Sequence, residues 1–176
     1  RQIVGQGLAE EGWCDQGAEQ RIRRLTEAIA ADESPAHALD PGGKRALWVF
    51  EAMEYCDHRY GSRAIGTYVV SMAADVDDLL NVLLMARWAG YTDAETGQAQ
   101  LDVAPLFESV EALEHAGDTI TRLLQNKVYR EHLASRGNRQ LVMIGYSNSN
   151  KDSGIVASRW LLRRAQESMS VACAAA

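Results

Sequence analysis

The sequence is short of cysteine and has no long apolar run, and each shortage excludes a class of protein. Its three cysteines, Cys14, Cys56 and Cys173, lie far apart and form no C-x-x-C pair, so neither a zinc site nor a disulfide framework is predicted. Free thiols suit a reducing compartment, and we expect the protein in the cytoplasm. No stretch reaches the roughly 18 apolar residues of a membrane span, so no membrane partner is expected.

Positive charge is also scarce. The sequence has 18 lysines and arginines against 24 aspartates and glutamates, which gives a net charge of -6. A protein that binds nucleic acid needs clustered cations to neutralise phosphates, so no nucleic-acid partner is expected. The composition is that of an ordinary globular protein, with 47% hydrophobic and 24% charged residues among 176. A chain of this length and composition can bury a hydrophobic core.

The two ends of the sequence predict a piece of a longer protein. The chain starts at Arg1 instead of a methionine, and it stops in a run of alanines that carries no helix cap. We therefore expect residues 1–176 to be an internal portion of one enzyme domain, with no separate domain boundary inside it.

Hydrophobic periodicity divides this portion into two parts. Residues 1–62 are predicted to be mainly helical, with one helix opened by Asp15 and another over Lys44–Tyr60. The second helix has one apolar face that we expect to pack inward, made of Ala46, Val49, Phe50, Met53, Cys56 and Tyr60.

Residues 63–176 are predicted to form three strand–helix units. The strands are expected in AIGTYVVSMA (64–73), which we expect to be buried, LDVAPLFES (101–109) and QLVMIGYS (140–147). Each run precedes a helical pattern, the last from about Asp152. Such alternation predicts parallel strands with crossover helices, in an α/β barrel or a doubly wound sheet. No glycine-rich nucleotide loop follows any strand, which disfavours the nucleotide-binding forms.

Polar residues follow the second and third predicted strands. Glu108 ends one run, and residues 146–152, YSNSNKD, follow the other. Because the carboxyl ends of parallel strands meet at one edge, these groups could share a site. An oxygen-rich set without histidine or sulfur suits Mg²⁺ or Mn²⁺, and Lys151 could hold a phosphate or carboxylate.

Each of these residues also has an ordinary structural explanation. Glu108 could simply begin the next helix, and Asn148 and Asn150 could be turn formers. Asp152 or Ser153 could be a helix N-cap. Composition and spacing leave both interpretations open.

The same residues resemble the phosphoenolpyruvate carboxylase family. The matching stretches are YVVSMA with the leucine-rich helix after it (68–84), VAPLFES (103–109) and VMIGYSNSNKDSGIVAS (142–158). They occur in the order and approximate spacing of the family, and the third is the most specific. Residues 65–166 carry the resemblance, and the first 60 residues carry no signature of it.

The resemblance implies both a fold and an activity. The implied fold is helix-rich α/β, a partial (β/α)8 TIM-type barrel with about three parallel strands, crossover helices and additional helices. The implied enzyme is a cytoplasmic homotetramer, a carbon–carbon lyase that fixes carbon dioxide. It joins bicarbonate to phosphoenolpyruvate, giving oxaloacetate and phosphate through carboxyphosphate and an enolate, and it uses Mg²⁺ or Mn²⁺.

The resemblance also implies roles for three residues. Glu108 falls on the family's metal-ligating glutamate, and Lys151 falls on a catalytic lysine that meets the anionic substrates. Asn148 falls on a second metal ligand, where the family normally has aspartate in GYSDS. Asparagine keeps a ligand oxygen but removes a full negative charge, so the departure is expected to weaken Mg²⁺ binding or to be particular to this sequence.

Part of the family's catalytic set has no counterpart in this chain. The catalytic histidine belongs to an upstream segment, and a glycine- and arginine-rich phosphate loop belongs to a downstream one. We therefore expect the 176-residue piece alone to be inactive. Two alternatives stay open: a non-catalytic helical scaffold or assembly segment derived from the enzyme, and another Mg²⁺-dependent barrel enzyme acting on phosphoenolpyruvate or pyruvate.

Overall fold

The structure, a computed structural model, describes residues 1–61 and 64–176. These residues form a helix-rich α/β arrangement with a small three-stranded parallel sheet. The elements in chain order are α1 (Gln2–Gly7), α2 (Ala18–Ala30), α3 (Pro41–Tyr60), β1 (Thr67–Val70), α4 (Val76–Trp88), β2 (Asp102–Phe107), α5 (Val110–Glu114), α6 (Ala116–Gln125), α7 (Lys127–Ser135), β3 (Met143–Ile144) and α8 (Tyr146–Ala174).

The chain divides into two compact units. The first comprises Arg1–Thr67, apart from the two undescribed residues, and Leu80–Asp102; the second comprises Tyr68–Leu79 and Val103–Ala176. The boundary predicted between residues 62 and 63 lies outside the described residues. That the chain belongs to one enzyme domain stays a prediction.

In the first unit, helix α3 is capped by Asp40 at its N-terminus and by Gly61 at its C-terminus. The Asp40 carboxylate accepts a hydrogen bond from the Gly43 backbone N–H at 2.7 Å, which caps the helix. Pro41 occupies the first turn, where a missing N–H costs nothing. At the other end Gly61 takes φ 89°, a conformation that glycine adopts without strain.

The predicted inward face of α3 is only half correct. Phe50 and Met53 are buried, but Val49 is 49% exposed and Tyr60 is 70% exposed. Val49 and Phe50 are neighbours in sequence and therefore point about 100° apart on a helix. The buried stripe is narrower than the apolar pattern predicts, and one side of that pattern faces solvent.

Helix α2 is tied to two loops of the first unit by Arg24. Its guanidinium makes two 2.7 Å hydrogen bonds to the carboxylate of Glu33 and a 2.9 Å bond to Glu10. The hydrogen bonds from Arg24 hold the pKa of Glu33 below its ordinary value. The pKa of Arg24 is raised by the same pairing, so its charge is permanent over any accessible pH.

The sheet of the structure runs in the order β1-β2-β3. Strands β2 and β3 are parallel, with Leu106 opposite Met143 and Phe107 opposite Ile144. In the central strand Phe107 is 0% exposed, whereas Val69 of β1 is 42% exposed. None of the four residues of β1 is buried, so the prediction that the first strand is buried is wrong.

Helix α8 begins earlier than predicted. It starts at Tyr146 instead of near Asp152, and a break interrupts it at Gly154, with φ 77° and ψ 162°. Two serine side chains of this segment bond to the helix backbone. The Ser149 and Ser153 hydroxyls each donate to a carbonyl oxygen four residues earlier, which is the way serine is accommodated within a helix.

In the second unit, α8 packs against α5 and α6. Its buried face consists of Leu162, Ala165, Met169 and Ala172. Gly117 of α6 is required by the close packing, because a Cβ there would lie 2.7 Å from the Ser168 side chain.

The acidic cluster at the start of α4 caps that end of the helix. The Asp78 carboxylate accepts hydrogen bonds from the Ala74 and Asp75 backbone N–H groups at 3.0 and 3.4 Å. These bonds satisfy backbone N–H donors that the start of a helix leaves without partners.

In the part of the chain that the structure describes, no helix is both long and apolar enough to cross a bilayer. The partial barrel stays a prediction, since three strands do not show a closed one.

Candidate metal and substrate site

Glu108 lies directly after the central strand and does not begin the next helix. That helix starts at Val110, and its cap is Ser109, whose hydroxyl accepts from the Ala112 N–H at 3.1 Å. Glu108 is half-buried and is left outside the helix at the end of β2. The ordinary explanation offered for this residue is therefore wrong.

The two oxygens of the Glu108 carboxylate have different partners. Oε1 accepts a hydrogen bond from the backbone N–H of Met72 at 3.0 Å, and Oε2 accepts from the side-chain amide of Asn148 at 2.8 Å. Met72 follows β1, and Asn148 follows β3. The carboxylate, itself just past β2, therefore receives contacts from the segments just past β1 and β3.

The contact with Asn148 has a direction that its chemistry fixes. An ionised carboxylate only accepts hydrogen bonds, so the amide must face it with nitrogen and not with oxygen. Asn148 thereby gives Glu108 a neutral donor at the position where the resemblance implies a second carboxylate. An aspartate there could not donate, and two carboxylates at this distance would repel each other unless a cation lay between them.

Gly145 permits the close approach of the third strand to Glu108. A Cβ at position 145 would lie 2.6 Å from the Glu108 Cβ, a separation that real side chains do not adopt. The backbone N–H of Gly145 also donates to the Phe107 carbonyl at 2.9 Å. The glycine of GYSNS is therefore a packing requirement of this site.

Lys151 lies on the first segment of α8 and is exposed. Within residues 1–61 and 64–176 its ammonium makes no hydrogen bond or ion pair. The structure gives no contact between Lys151 and Glu108, so of the three residues that the resemblance implies for the site it joins Glu108 and Asn148. An exposed, uncommitted ammonium is available to an anionic ligand.

A divalent cation fits this set in part. Glu108 offers one carboxylate, and the described residues contain no cluster of three or more acidic, histidine or cysteine side chains that could hold a metal ion. Mg²⁺ is commonly held by one or two carboxylates together with water and substrate oxygens. Asn148 can contribute its oxygen only if its amide rotates by half a turn and breaks the bond to Glu108.

Sequence reasoning missed two contributors. Met72 acts through a backbone N–H, which no side-chain pattern reports; its position just past β1 was the only available signal. Ser149 and Ser158 form a buried hydroxyl pair, 2.7 Å apart, beside Asn148. Ser149 lies in a polar cluster that predicts a turn, whereas Ser158 lies within the last predicted helix, so no sequence pattern joins the two.

Comparison with known proteins gives one family. The family model for phosphoenolpyruvate carboxylase matches residues 7–176. A phosphoenolpyruvate carboxylase of Xanthomonas euvesicatoria pv. vesicatoria (strain 85-10) is 43% identical over 171 residues, 97% of this chain and 19% of the relative. One of Synechococcus sp. (strain WH7803) is 35% identical over 164 residues, 89% of this chain and 16% of the relative. The chain therefore spans 16–19% of the length of these curated relatives.

Proposed function

The chain belongs to the phosphoenolpyruvate carboxylase family, and we propose that it supplies metal- and substrate-binding residues to an enzyme that carboxylates phosphoenolpyruvate. One observation carries the proposal. Glu108 and Asn148 are forty positions apart in sequence, yet their side chains meet at 2.8 Å. They meet at the carboxyl ends of parallel strands, the edge at which α/β enzymes bind their ligands.

The proposed reaction joins bicarbonate to phosphoenolpyruvate. A bicarbonate oxygen attacks the phosphorus, and the bond between phosphorus and the enol oxygen breaks, which leaves carboxyphosphate and the enolate of pyruvate. Carboxyphosphate then gives carbon dioxide and phosphate, and the enolate carbon attacks the carbon dioxide to form oxaloacetate. Catalysis in such a sequence consists of holding the reactants together and stabilising the negative charge that develops.

The residues of this chain have distinct proposed roles. Glu108 is the metal-ligating carboxylate, with the Met72 N–H fixing one of its oxygens at 3.0 Å. Asn148 is a weak second ligand, because its amide must first leave Glu108. Mg²⁺ or Mn²⁺ bound there would supply Lewis-acid stabilisation of enolate and phosphate oxygens.

Lys151 is the proposed group for the anionic substrates. Its exposure and its lack of a partner among the described residues support that role. A lysine ammonium is a compact charge that can pair with a phosphate or a carboxylate. We propose that it takes part in catalysis by holding such a group beside the charge that forms.

The rest of the proposal concerns the whole enzyme. We propose that the three strands belong to a TIM-type barrel, and that the enzyme is a cytoplasmic homotetramer of the carbon–carbon lyase class. Among the described residues the strand order β1-β2-β3 leaves β1 and β3 at the two edges of the sheet, which supports further neighbouring strands in such a barrel. We further propose that residues 1–176 alone form no oxaloacetate.

A second candidate function is a non-catalytic scaffold derived from the enzyme. The observation that favours it is the Asn148 amide itself, because its N–H satisfies Glu108 without any cation. In this case the fold would be kept for assembly while metal chemistry is lost. The third possibility, another Mg²⁺-dependent phosphoenolpyruvate or pyruvate enzyme, has no feature of the described residues in its favour.

Oxaloacetate formation decides between the first two candidates. The intact protein that contains this chain is assayed with phosphoenolpyruvate, bicarbonate and Mn²⁺, coupled to malate dehydrogenase. Turnover that rises in Asn148→Asp indicates a carboxylase with a weakened metal site. Absence of turnover in both forms rejects the carboxylase and favours the scaffold. Steady turnover by the 176-residue chain alone would show that the missing segments are not needed.

A further inference from the structure

Helix α8 is interrupted directly after the candidate site. Gly154, with φ 77° and ψ 162°, is far from helical geometry. The residues before it, 146–153, include Asn148 and Lys151. The residues after it, 155–174, include the buried face that packs on α5 and α6. We call the first segment the site turn and the second the anchor helix.

A buried hydroxyl pair joins these two segments. Ser149 of the site turn and Ser158 of the anchor helix lie 2.7 Å apart, Oγ to Oγ, and both are 0% exposed. The Ser149 Oγ also lies 3.1 and 3.2 Å from the carbonyl oxygens of Gly145 and Tyr146. Because carbonyl oxygens only accept, the contacts are compatible when Ser158 donates to Ser149 and the single Ser149 O–H is shared between the two carbonyl oxygens.

The residues directly after the break are exposed and contribute little packing between the segments. Ile155 and Val156, the next two residues, are 63% and 82% exposed. Glycine itself resists rotation less than any other residue. The anchor helix, by contrast, is held by Leu162 and Ala165, which are 9% and 1% exposed. A bond from Ser158 therefore connects the site turn to a part of the unit that is fixed.

We infer that Ser149 and Ser158 are positioning residues. Their hydrogen bond holds the site turn so that Asn148 and Lys151 face the metal ion and substrate that we propose to bind at Glu108. Neither hydroxyl touches substrate or metal in this role. Ser149 is adjacent to Asn148, so a shift of the site turn moves that side chain directly. The metal-binding consequence rests on the proposed function, whereas the mechanical connection does not.

A double-mutant cycle in the intact protein tests the connection. Mn²⁺ binding is measured by electron paramagnetic resonance in Ser149→Ala, Ser158→Ala and the double variant. Each single change is expected to raise the dissociation constant about tenfold, the effect of losing an outer-sphere support. The double variant should match the single ones, because they remove the same bond. Unchanged affinity in Ser158→Ala would overturn the positioning role.

Ser153→Ala is the matched control. Its hydroxyl donates to the Ser149 carbonyl oxygen at 2.8 Å, so the variant also loses one serine hydrogen bond of the site turn. That bond stays within the turn and does not cross the break. Mn²⁺ affinity is expected to be unchanged. A loss equal to that in Ser158→Ala would show that any weakening of the turn suffices, which contradicts a specific role for the pair.

A second control separates positioning from general stability. Asn126 caps α7 in the same unit, with its side chain accepting from the Tyr129 N–H at 3.2 Å. Asn126→Ala is expected to lower the melting temperature and to leave Mn²⁺ affinity unchanged. If it weakens Mn²⁺ binding as much as Ser158→Ala at a similar loss of melting temperature, the pair is merely structural.

Amide hydrogen exchange distinguishes failure of the pair from failure of the proposed function. If the wild type binds no Mn²⁺ and forms no oxaloacetate, the proposed function fails. Ser158→Ala is still expected to speed exchange across residues 146–153 more than Ser153→Ala does. Unchanged exchange there in Ser158→Ala would overturn the connection, whatever the activity of the wild type.

Discussion

Two glutamates of this chain are held by hydrogen bonds of similar length, but by different kinds of partner. Glu33, in the first unit, faces the Arg24 guanidinium through two 2.7 Å bonds. Glu108, in the second unit, faces the Asn148 amide at 2.8 Å and a backbone N–H at 3.0 Å. Among the residues that the structure describes, the Glu33 charge is balanced by a permanent cation, whereas the Glu108 carboxylate is met by neutral donors.

The difference is the one expected between a structural carboxylate and a carboxylate that we propose to bind a metal ion. The bonds from Arg24 lower the pKa of Glu33, and the pair needs nothing further. Among the described residues no cationic side chain pairs with Glu108. Neutral donors hold a carboxylate in place while leaving its charge available to an incoming cation. Four changes sharpen or break this comparison.

The largest effect is expected when Glu108 is made neutral, and the same change at Glu33 is the control. Glu108→Gln should weaken Mn²⁺ binding and lower kcat/KM by about 100-fold or more, since a metal ligand supplies several kcal/mol. Glu33→Gln should change only stability. Isothermal titration with Mn²⁺ and the coupled oxaloacetate assay measure both. Equal Mn²⁺ affinity in the two variants would remove the distinction.

The next effect concerns the two lysines whose surroundings differ. Lys151→Met should raise KM for phosphoenolpyruvate about tenfold, as expected for the loss of one charge-assisted hydrogen bond. Lys127, which is exposed and lies 3.9 Å from Glu131, is the matched control. Lys127→Met should leave KM unchanged, and an equal rise in both variants would reduce Lys151 to a surface charge.

A smaller effect is expected from the glycine that lets β3 approach Glu108. Gly145→Ala should destabilise the protein by about 1–3 kcal/mol, because the new methyl group overpacks the site. It should also weaken Mn²⁺ binding, since Glu108 has to move. Gly66→Ala is the control, as nothing lies within 4 Å of a Cβ there. Urea unfolding and Mn²⁺ titration check both, and a silent Gly145→Ala would contradict the close approach.

The smallest effect is expected at the structural pair and depends on pH. The pKa of Glu33 is lowered in the folded state, so its pairing stabilises the protein above the unfolded pKa of about 4.3 and is lost as pH falls through the folded value. Arg24→Met should therefore cost about 1 kcal/mol at pH 7, the scale of a partly exposed ion pair. Urea unfolding should show that this cost shrinks in acid. An equal cost at both pH values would contradict the charge pairing.

The sequence predicted the parts of the fold that side-chain pattern controls. Strand β2 and the helices after it follow from apolar runs and helical periodicity. Glu108 and Asn148 were brought together because both follow parallel strands. These features depend on residue type and spacing, which the amino-acid sequence displays directly.

What could not be predicted depends on the backbone and on competing local preferences. The Met72 N–H has no side-chain signal. The segment YSNSNK favours a turn because serine and asparagine compete for backbone hydrogen bonds, yet the hydroxyls of Ser149 and Ser153 fit within a helical turn. The exposed side of α3 also escaped prediction, because an apolar stripe does not reveal which of its edges is covered.

The central claim is that the neutral Asn148 amide satisfies the Glu108 carboxylate with a hydrogen bond. A second carboxylate at position 148 would instead favour a bound cation. The most direct measurement is the Mn²⁺ dissociation constant of the intact protein, wild type against Asn148→Asp, by electron paramagnetic resonance. Aspartate cannot donate to Glu108 and adds a second carboxylate, so Asn148→Asp should bind Mn²⁺ at least about tenfold more tightly. Equal or weaker binding by Asn148→Asp would contradict the claim.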